Sequence, residues 1–383
     1  MVHLSSARGG FDQAAAVIDE AVDARVFPGA VLLVAQHGEI LHHAAFGSRS
    51  LEPQQTQMEP DTVFDLSSLT KPLATTTAVM LLVREGKIRV EDRVSRFIPN
   101  FGVHGKAGVG VRHLLAHCSG LAALRPFHRE IAEAPRNQRP SRLASRGARE
   151  FIYEQIHRAR LEYPPGTRSL YSDLGFLLLG ELVELVTSSS LDRYCHERIF
   201  RPLGLRSTGF VDLERLRLGG LSPVTSAIAP TERCPWRGKI LWGEVQDENA
   251  WAAGGVAGHA GLFSSAADVH ALVCRLRASA LGQDSFLPAD IVRRFWTRDG
   301  LVPDSTWALG WDTPSPAGSS AGTRVSAQAV GHLGFTGTSL WIDFERDAHV
   351  ILLTNRVHPT RQDERIRDVR PRLHDAVWEA LDG

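Results

Sequence analysis

Lysine is nearly absent from this chain. Four lysines (Lys71, Lys87, Lys106 and Lys239) stand against 39 arginines. The arginines run along the whole chain, which fits a coding bias better than a binding patch. Formal net charge is zero, so the concentrated positive field of a dedicated nucleic-acid binder is missing. Cysteine is as sparse: Cys118, Cys195, Cys234 and Cys274 stand far apart with no C-x-x-C pair. That excludes a zinc knuckle or redox dithiol motif and leaves four thiols that read as small buried hydrophobes. No apolar run reaches the roughly 18 residues a membrane span needs. The opening "MVHLSSARGGFDQAAAVIDEAV" lacks the basic region followed by an apolar run of a secretory leader. The expected setting is a reducing, cytoplasmic compartment.

The 383 residues, 43% hydrophobic and 22% charged, suit one large domain or two ordinary ones. Apolar spacing near 3.6 predicts a helix over "FDQAAAVIDEAVDAR" (11–25). "GAVLLVAQHGEILHHAAFG" (29–47) predicts two strands about a turn at His37-Gly38. Next comes "SSLTKPLATTTAVMLLVREG", apolar nearly all round and therefore a buried helix, ending at Gly86. Prolines, loops and short helical patterns dominate from about 95 to 255. Within them, residues 124–149 carry Arg125, Arg129, Arg136, Arg139, Arg142, Arg146 and Arg149 with little apolar period, the mark of a solvated insertion. Ser265 and Asp268 are spaced as a capping box before another helix. Strand-like runs return in "TWALGW", "AQAVGHLGF", "TSLWIDF" and "HVILLTN", and a last helix covers about Ile366 to Leu381. Strands at both ends and helices between them predict an α+β fold: an antiparallel sheet flanked by helices. Residues 1–95 with 256–383 would build the sheet domain, and 96–255 an inserted, mainly helical subdomain.

Three stretches could carry chemistry. Ser68 and Lys71 lie three apart at a helix start, so both face one way. Unpaired N–H groups there favour developing negative charge. A lysine in that place serves as a base only if burial or nearby positive charge lowers its pKa. One S-x-x-K is weak by itself, since about 0.3 matches arise by chance in this composition. Pro72, tolerated only in a first turn, supports a helix that starts near Ser68. Tyr171, one of four tyrosines, closes the loop "YPPGTRSLYSD" before an apolar helix; a packing role would explain it equally well. In "AVGHLGFTGTSLWIDFERD" (329–347), Gly334 and Gly337 allow close backbone approach, and His332 stands near a strand edge.

Together the three stretches resemble the serine β-lactamase and penicillin-binding-protein superfamily. Ser68-Leu69-Thr70-Lys71 matches S-x-x-K, Tyr171-Ser172-Asp173 takes the Y-x-N place, and His332-Leu333-Gly334 takes the K-T-G place. "RHLLAHCSGL", "YPPGT", "PLGLRSTGF" and "GHAGLFSS" are similar to that family as well, so the resemblance covers nearly the whole chain. It implies a class C β-lactamase-like fold and a serine hydrolase acting through an acyl-enzyme on small ester or amide substrates. The branches it suggests are carboxylesterase, D-stereospecific peptidase and β-lactamase. Ser68 would be the nucleophile, and Lys71 and Tyr171 the proton-transfer pair. The N–H groups of Ser68 and Phe335 would form the oxyanion hole. Asp173, His332, Gly334 and Phe335 would line the pocket, with no cofactor and no metal. Asp173 in place of Asn and His332 in place of Lys depart from the β-lactamase pattern and favour the esterase branch. A non-catalytic binding protein on the same fold would be marked by loss of Ser68, Lys71 or Tyr171, and none is lost.

Other matches carry less. "GSSAG" (318–322) fits the nucleophile elbow G-x-S-x-G, but Ser320 sits in a polar loop without the strand and helix that elbow needs. His113 and His117, four apart, suit a metal by spacing but lack a neighbouring Glu and a third ligand. His42 and His43 face opposite ways on a strand. The partner expected is a small molecule, with no nucleic acid and no membrane span; the oligomeric state is not encoded in any readable pattern.

Overall fold

The computed structural model describes residues 10–135 and 143–383. The opening residues on which a leader turns, and Arg136, Arg139 and Arg142, lie outside the described residues. Helix α1 (Asp12–Asp23) leads into β1 (Gly29–Gln36), β2 (Glu39–Ser50), and the short β3 (Thr56–Gln57) and β4 (Phe64–Asp65). Helix α2 (Thr77–Arg84) follows. Then come α3 (Val111–Leu115), α4 (Phe127–Glu133), α5 (Arg146–Arg158), α6 (Asp173–Thr187) and α7 (Leu191–Cys195). Two-residue strands β5 (Gly209–Phe210), β6 (Arg233–Cys234) and β7 (Lys239–Ile240) alternate with α8 (Leu213–Leu218) and α9 (Glu248–Ala252). The chain closes with β8 (Leu262–Ser264), α10 (Ala266–Ala280), α11 (Ala289–Trp296), β9 (Val330–Leu333), β10 (Ser339–Asp343), β11 (Ala348–Thr354) and α12 (Ile366–Asp382).

The main sheet has the order β3-β2-β1-β11-β10-β9, antiparallel throughout. Its centre joins the two ends of the chain: β1 pairs with β11 from Ala30 opposite Thr354 to Gln36 opposite Ala348. A central strand is covered on both faces, and that is why "GAVLLVA" reads as one continuous apolar run. Side-chain alternation then splits two cores. Ala30, Leu32 and Val34 pack with α1 and α12 around Trp341 and Trp378. Val31, Leu33 and Ala35 enter the larger cluster, which continues without a break into α2, α3, α6 and α10. Among the described residues no single helix is long and apolar enough to cross a membrane.

Three local expectations need correction. "TWALGW" forms no strand: the Ala308 and Gly310 amides donate to Trp311 and Leu115 carbonyls rather than to a ladder, and Gly310 has φ +79. The helix carrying Lys71 is irregular at its start, with a 3-10 turn at Ser67–Leu69 and a π-helical stretch at Lys71–Thr76 before α2. Pro72 accounts for this, having no N–H for the Ser68 carbonyl four residues back and a ring that crowds it. The capping box is only half made. Ser265 Oγ accepts from the Asp268 N–H at 3.3 Å, but the Asp268 carboxylate turns away to Ser207 N and Thr208 Oγ1.

The loop before β8 presses flat against α6. A Cβ on Gly258 would stand 2.0 Å from the Phe176 carbonyl oxygen and 3.0 Å from Gly180 N. The same glycine's carbonyl accepts from Thr75 Oγ1 at 2.7 Å, which ties the helix after Lys71 to this loop. Gly258→Ala is therefore expected to lower unfolding free energy by about 1–3 kcal/mol, the usual cost of forcing atoms into a packed core. Chemical denaturation of the two proteins side by side measures it; equal midpoints would contradict the close packing.

Candidate active site

The strained turn comes first. Ser67 holds φ +50, a left-handed value that costs a residue with a Cβ about 1–3 kcal/mol. Three contacts hold it there. Its N–H donates to Asp65 Oδ1 at 2.9 Å, its carbonyl accepts from Thr70 Oγ1 at 2.6 Å, and its own Oγ accepts from the Phe335 N–H at 3.2 Å. Asp65 also accepts from Gln246 N at 2.7 Å, and burial pushes its carboxyl up to about 6. The result of this bracing is that Ser68, the next residue, faces an open cleft of about 370 Å³.

Lys71 has no solvent exposure. Its Nζ donates to Ser68 Oγ at 3.0 Å and to the His259 carbonyl at 3.1 Å, and it forms an ion pair with Asp173 Oδ1 at 2.7 Å. Desolvation pulls its pKa down, but the Asp173 carboxylate and the Tyr171 phenol together outweigh burial, and the net shift is upward. This corrects the requirement read from sequence: the lysine is not a lowered-pKa amine but a charged ammonium. Tyr171 is half-buried; desolvation raises its pKa against the nearby Lys71, whose Nζ lies 4.7 Å from the centre of its ring. At neutral pH Lys71 is thus an ammonium beside a neutral phenol and a serine hydroxyl.

Local sequence explains how these groups are held. Ser172 caps α6, accepting from Gly175 N and donating to the Ala122 carbonyl at 2.7 Å, which fixes Asp173 in the first helical turn. The Ser172 N–H donates to His117 Nδ1 at 3.0 Å. The His117 ring packs 4.6 Å from the Tyr171 ring and 4.4 Å from the Trp307 ring. Burial, then Lys71, holds His117 well below the ordinary histidine range, so it is a neutral wall. His113 Nδ1 accepts from the Gly110 N–H, so both histidines of that spacing bond to backbone and share no ligand position. Behind Lys71, His259 Nε2 lies 2.9 Å from Asp247 Oδ1, which secures the carbonyl that Lys71 uses.

The opposite wall is the end of β9. His332 is buried, with Nδ1 2.8 Å from the Leu333 carbonyl, and burial with Lys71 nearby lowers its pKa to about 3. It lines the cleft as an uncharged ring. Gly334 is a glycine because a Cβ would strike Thr338 Oγ1 at 2.0 Å and the Leu66 carbonyl at 2.5 Å. The close approach it permits is to the strained turn itself rather than to a ligand. Phe335 stands at the mouth, its ring under the Arg356 guanidinium at 4.7 Å.

Ser68, Lys71, Tyr171, Asp173, His332, Gly334 and Phe335 are thus gathered in one place. Ser320 is in a loop between Gly318 and Gly322 that packs on α12, with no strand running into the serine and no helix leaving it. Sequence reasoning missed Trp307, Arg356, Arg367 and Arg370, which also line the cleft. Arg370 donates to the Gly334 and Thr338 carbonyls at 3.1 and 2.8 Å, and Arg356 to those of Phe335 and Asp363 at 2.9 and 2.7 Å. Burial lowers Arg370 to about 9, still cationic at neutral pH. Only the arginine spacing 356, 367, 370 near the last helix could have hinted at this rim.

A family model described as Beta-lactamase matches residues 14–373. A protein of Escherichia coli (strain K12) named "Putative D-alanyl-D-alanine carboxypeptidase" is 34% identical over 359 residues, covering 87% of this chain and 79% of its own length. Among solved structures, EstCE1, "a hydrolase with promiscuous acyltransferase activity", superposes with TM-score 0.71 at 23% identity, over 96% of this chain and 98% of its own. Simvastatin synthase (LovD) from Aspergillus terreus superposes with TM-score 0.72 at 19% identity, over 98% and 100%. At those identities the two structures speak for the fold.

Proposed function

The chain belongs to the β-lactamase family of serine hydrolases, and we propose that Ser68 is its nucleophile, acylated by small esters. The observation that carries this reading is the 3.0 Å contact of Ser68 Oγ, which lines the cleft, with a fully buried lysine behind it. Attack by Ser68 on a carbonyl forms the acyl–oxygen bond and expels the alcohol; water then cleaves the acyl-enzyme. The serine proton needs an acceptor. Lys71 as an ammonium has no lone pair, and a neutral phenol is a poor base. The competent form is the Lys71–Tyr171 pair after losing one proton, which titrates as a unit. That pair takes the Ser68 proton and gives one to the leaving oxygen. The Phe335 N–H, held by Ser67 Oγ in the free enzyme, turns to the substrate carbonyl when that oxygen displaces the hydroxyl; the Ser68 N–H is the second donor.

Two features favour esters over β-lactams. Asp173 accepts hydrogen bonds only and is occupied by Lys71, so it offers no N–H to an acyl-amide carbonyl. His332 is uncharged and cannot hold a carboxylate as a lysine would. A second reading, cleavage of D-alanyl peptides, is favoured by the cationic rim of Arg356 and Arg370, whose partners named above are carbonyls rather than acids, and by the name of the Escherichia coli relative.

Ser68→Ala should abolish p-nitrophenyl butyrate hydrolysis and Ser320→Ala should keep most of it; the reverse would overturn the nucleophile. In the wild type, kcat/KM should be highest for that ester, lower for a D-Ala-D-Ala-terminated peptide and lowest for nitrocefin. A peptide value above the ester value establishes the second reading instead.

The pH profile tests the base. Asp173 stabilises the charged form of Lys71, so it raises the pH at which the pair releases its proton. Asp173→Asn removes that stabilisation, and the ascending limb of kcat/KM should move to lower pH by about 1–3 units. An unmoved limb, or one moved upward, excludes this role for the carboxylate.

A further inference from the structure

Cys274 is the one cysteine of the four that is not fully buried. It lies on α10, one turn beyond His270, so the two side chains share a face. Across from them, His349 on β11 points to the side of the sheet that receives Ile351 and Leu353, the side α10 covers. His270 Nδ1 is 2.9 Å from His349 Nε2. Cys274 Sγ is 3.7 Å from Nδ1 and 3.6 Å from Nε2 of His270. One ligand atom from each residue can be chosen so that all three lie within 4.8 Å of one another.

We propose that His270, Cys274 and His349 form a binding site for one zinc-class divalent ion, clamping α10 to the central sheet. The ligand set is one sulfur and two imidazole nitrogens, which suits a borderline-soft ion and not the oxygen-seeking Mg²⁺ or Ca²⁺. Tetrahedral zinc with ordinary bond lengths places neighbouring N and S ligand atoms about 3.3–3.6 Å apart. The separations of 2.9 and 3.7 Å bracket that range, so small side-chain movements suffice. Both supporting elements are packed into the core, which fixes the three Cα positions before an ion arrives.

The surroundings permit it. Burial keeps His349 neutral, lowering its pKa to about 3, and does the same in direction for His270; a neutral imidazole is the ligating form. Arg277, the nearest cation, is held by Asp347, which cancels its charge. His43, the other histidine close to His270, has Nε2 engaged at the Pro60 carbonyl and stays outside the set. The Gly38 carbonyl of the β1–β2 turn lies 3.9 Å from the sulfur. The fourth position of a tetrahedral ion would be left to a solvent molecule.

Binding requires two changes. The sulfur is almost equidistant from both nitrogens of His270, so it faces the flat of the ring rather than a lone pair. The ring turns about its Cβ–Cγ bond, a soft torsion for histidine. The shared proton between the two imidazoles moves to an outward nitrogen by tautomerisation, and the Cys274 thiol releases its proton to solvent as the thiolate bonds to the ion.

The test uses the whole chain after treatment with a chelator, titrated with Co²⁺ alone. A near-ultraviolet thiolate-to-cobalt band with intense visible bands of tetrahedral cobalt should grow to saturation at one equivalent and vanish on adding Zn²⁺. Cys274→Ser should lose the near-ultraviolet band, and His349→Ala should lose stoichiometric binding. Zn²⁺ should raise the melting temperature of the wild type but not of either variant. No cobalt band at one equivalent, or a band that persists in Cys274→Ser, overturns the site. Circular dichroism reports folding of the variants; if His349→Ala misfolds, Cys274→Ser, which exchanges only a sulfur for an oxygen, decides alone.

Discussion

An ammonium shut away from water must find its partners inside the protein, and Lys71 draws them from three separate stretches of chain: Ser68, Asp173 and the His259 carbonyl. An unpaired buried charge would cost several kcal/mol. Each partner is therefore held by something of its own. Asp173 stands in the first turn of a capped helix, His259 leans on Asp247, and Ser68 follows a serine pinned in a left-handed conformation. The glycine that lets the His259 loop lie on α6 serves the same end. Organisation around one cation explains why polar residues are so many in the middle of an apolar core, and why Lys71 is not replaced by the arginine this chain uses elsewhere. A guanidinium is larger, planar and cannot give up its proton near neutrality.

What could be read from sequence was what is local. The pair Ser68 and Lys71 is three residues apart, and the strands of the sheet announce themselves by continuous or alternating apolar runs. The cap at Ser265 is a single-residue signal, and its bond to the Asp268 N–H forms. What escaped was set by distant contacts. "TWALGW" has strand composition, but its amides are claimed by neighbours in the α3 and α11 region, so propensity lost to tertiary hydrogen bonds. The charge state of Lys71 depended on the balance between burial, which lowers its pKa, and a carboxylate 102 positions away, which raises it and with Tyr171 prevails. The arginines of the rim come from a strand exit and a helix face that meet the cleft only after the sheet has closed. His270 and Cys274 carry helical spacing that could have been noticed, but their third member, His349, lies on a strand 75 residues beyond Cys274.

The esterase reading and the peptidase reading share one chemistry and differ in what surrounds it. The inner cleft, with Asp173 engaged and His332 uncharged, asks little of a substrate beyond a carbonyl. In the outer rim Arg367 pairs with Glu364, while Arg356 and Arg370 bond to backbone oxygens, and it is these two that would favour an anionic group some distance from that carbonyl.

The pairing of β1 with β11 has a consequence for the chain as it leaves the ribosome. Residues 29–36 emerge early and can form a hairpin with β2 at once. Their other edge, a row of free amides and carbonyls along a segment apolar as far as Ala35, finds its partner only when residues 348–354 have been made. At about 5–20 residues per second, translation leaves that edge open for tens of seconds. During that interval the nascent chain is a ready substrate for a holdase chaperone, and slower synthesis of the middle of the chain prolongs its exposure.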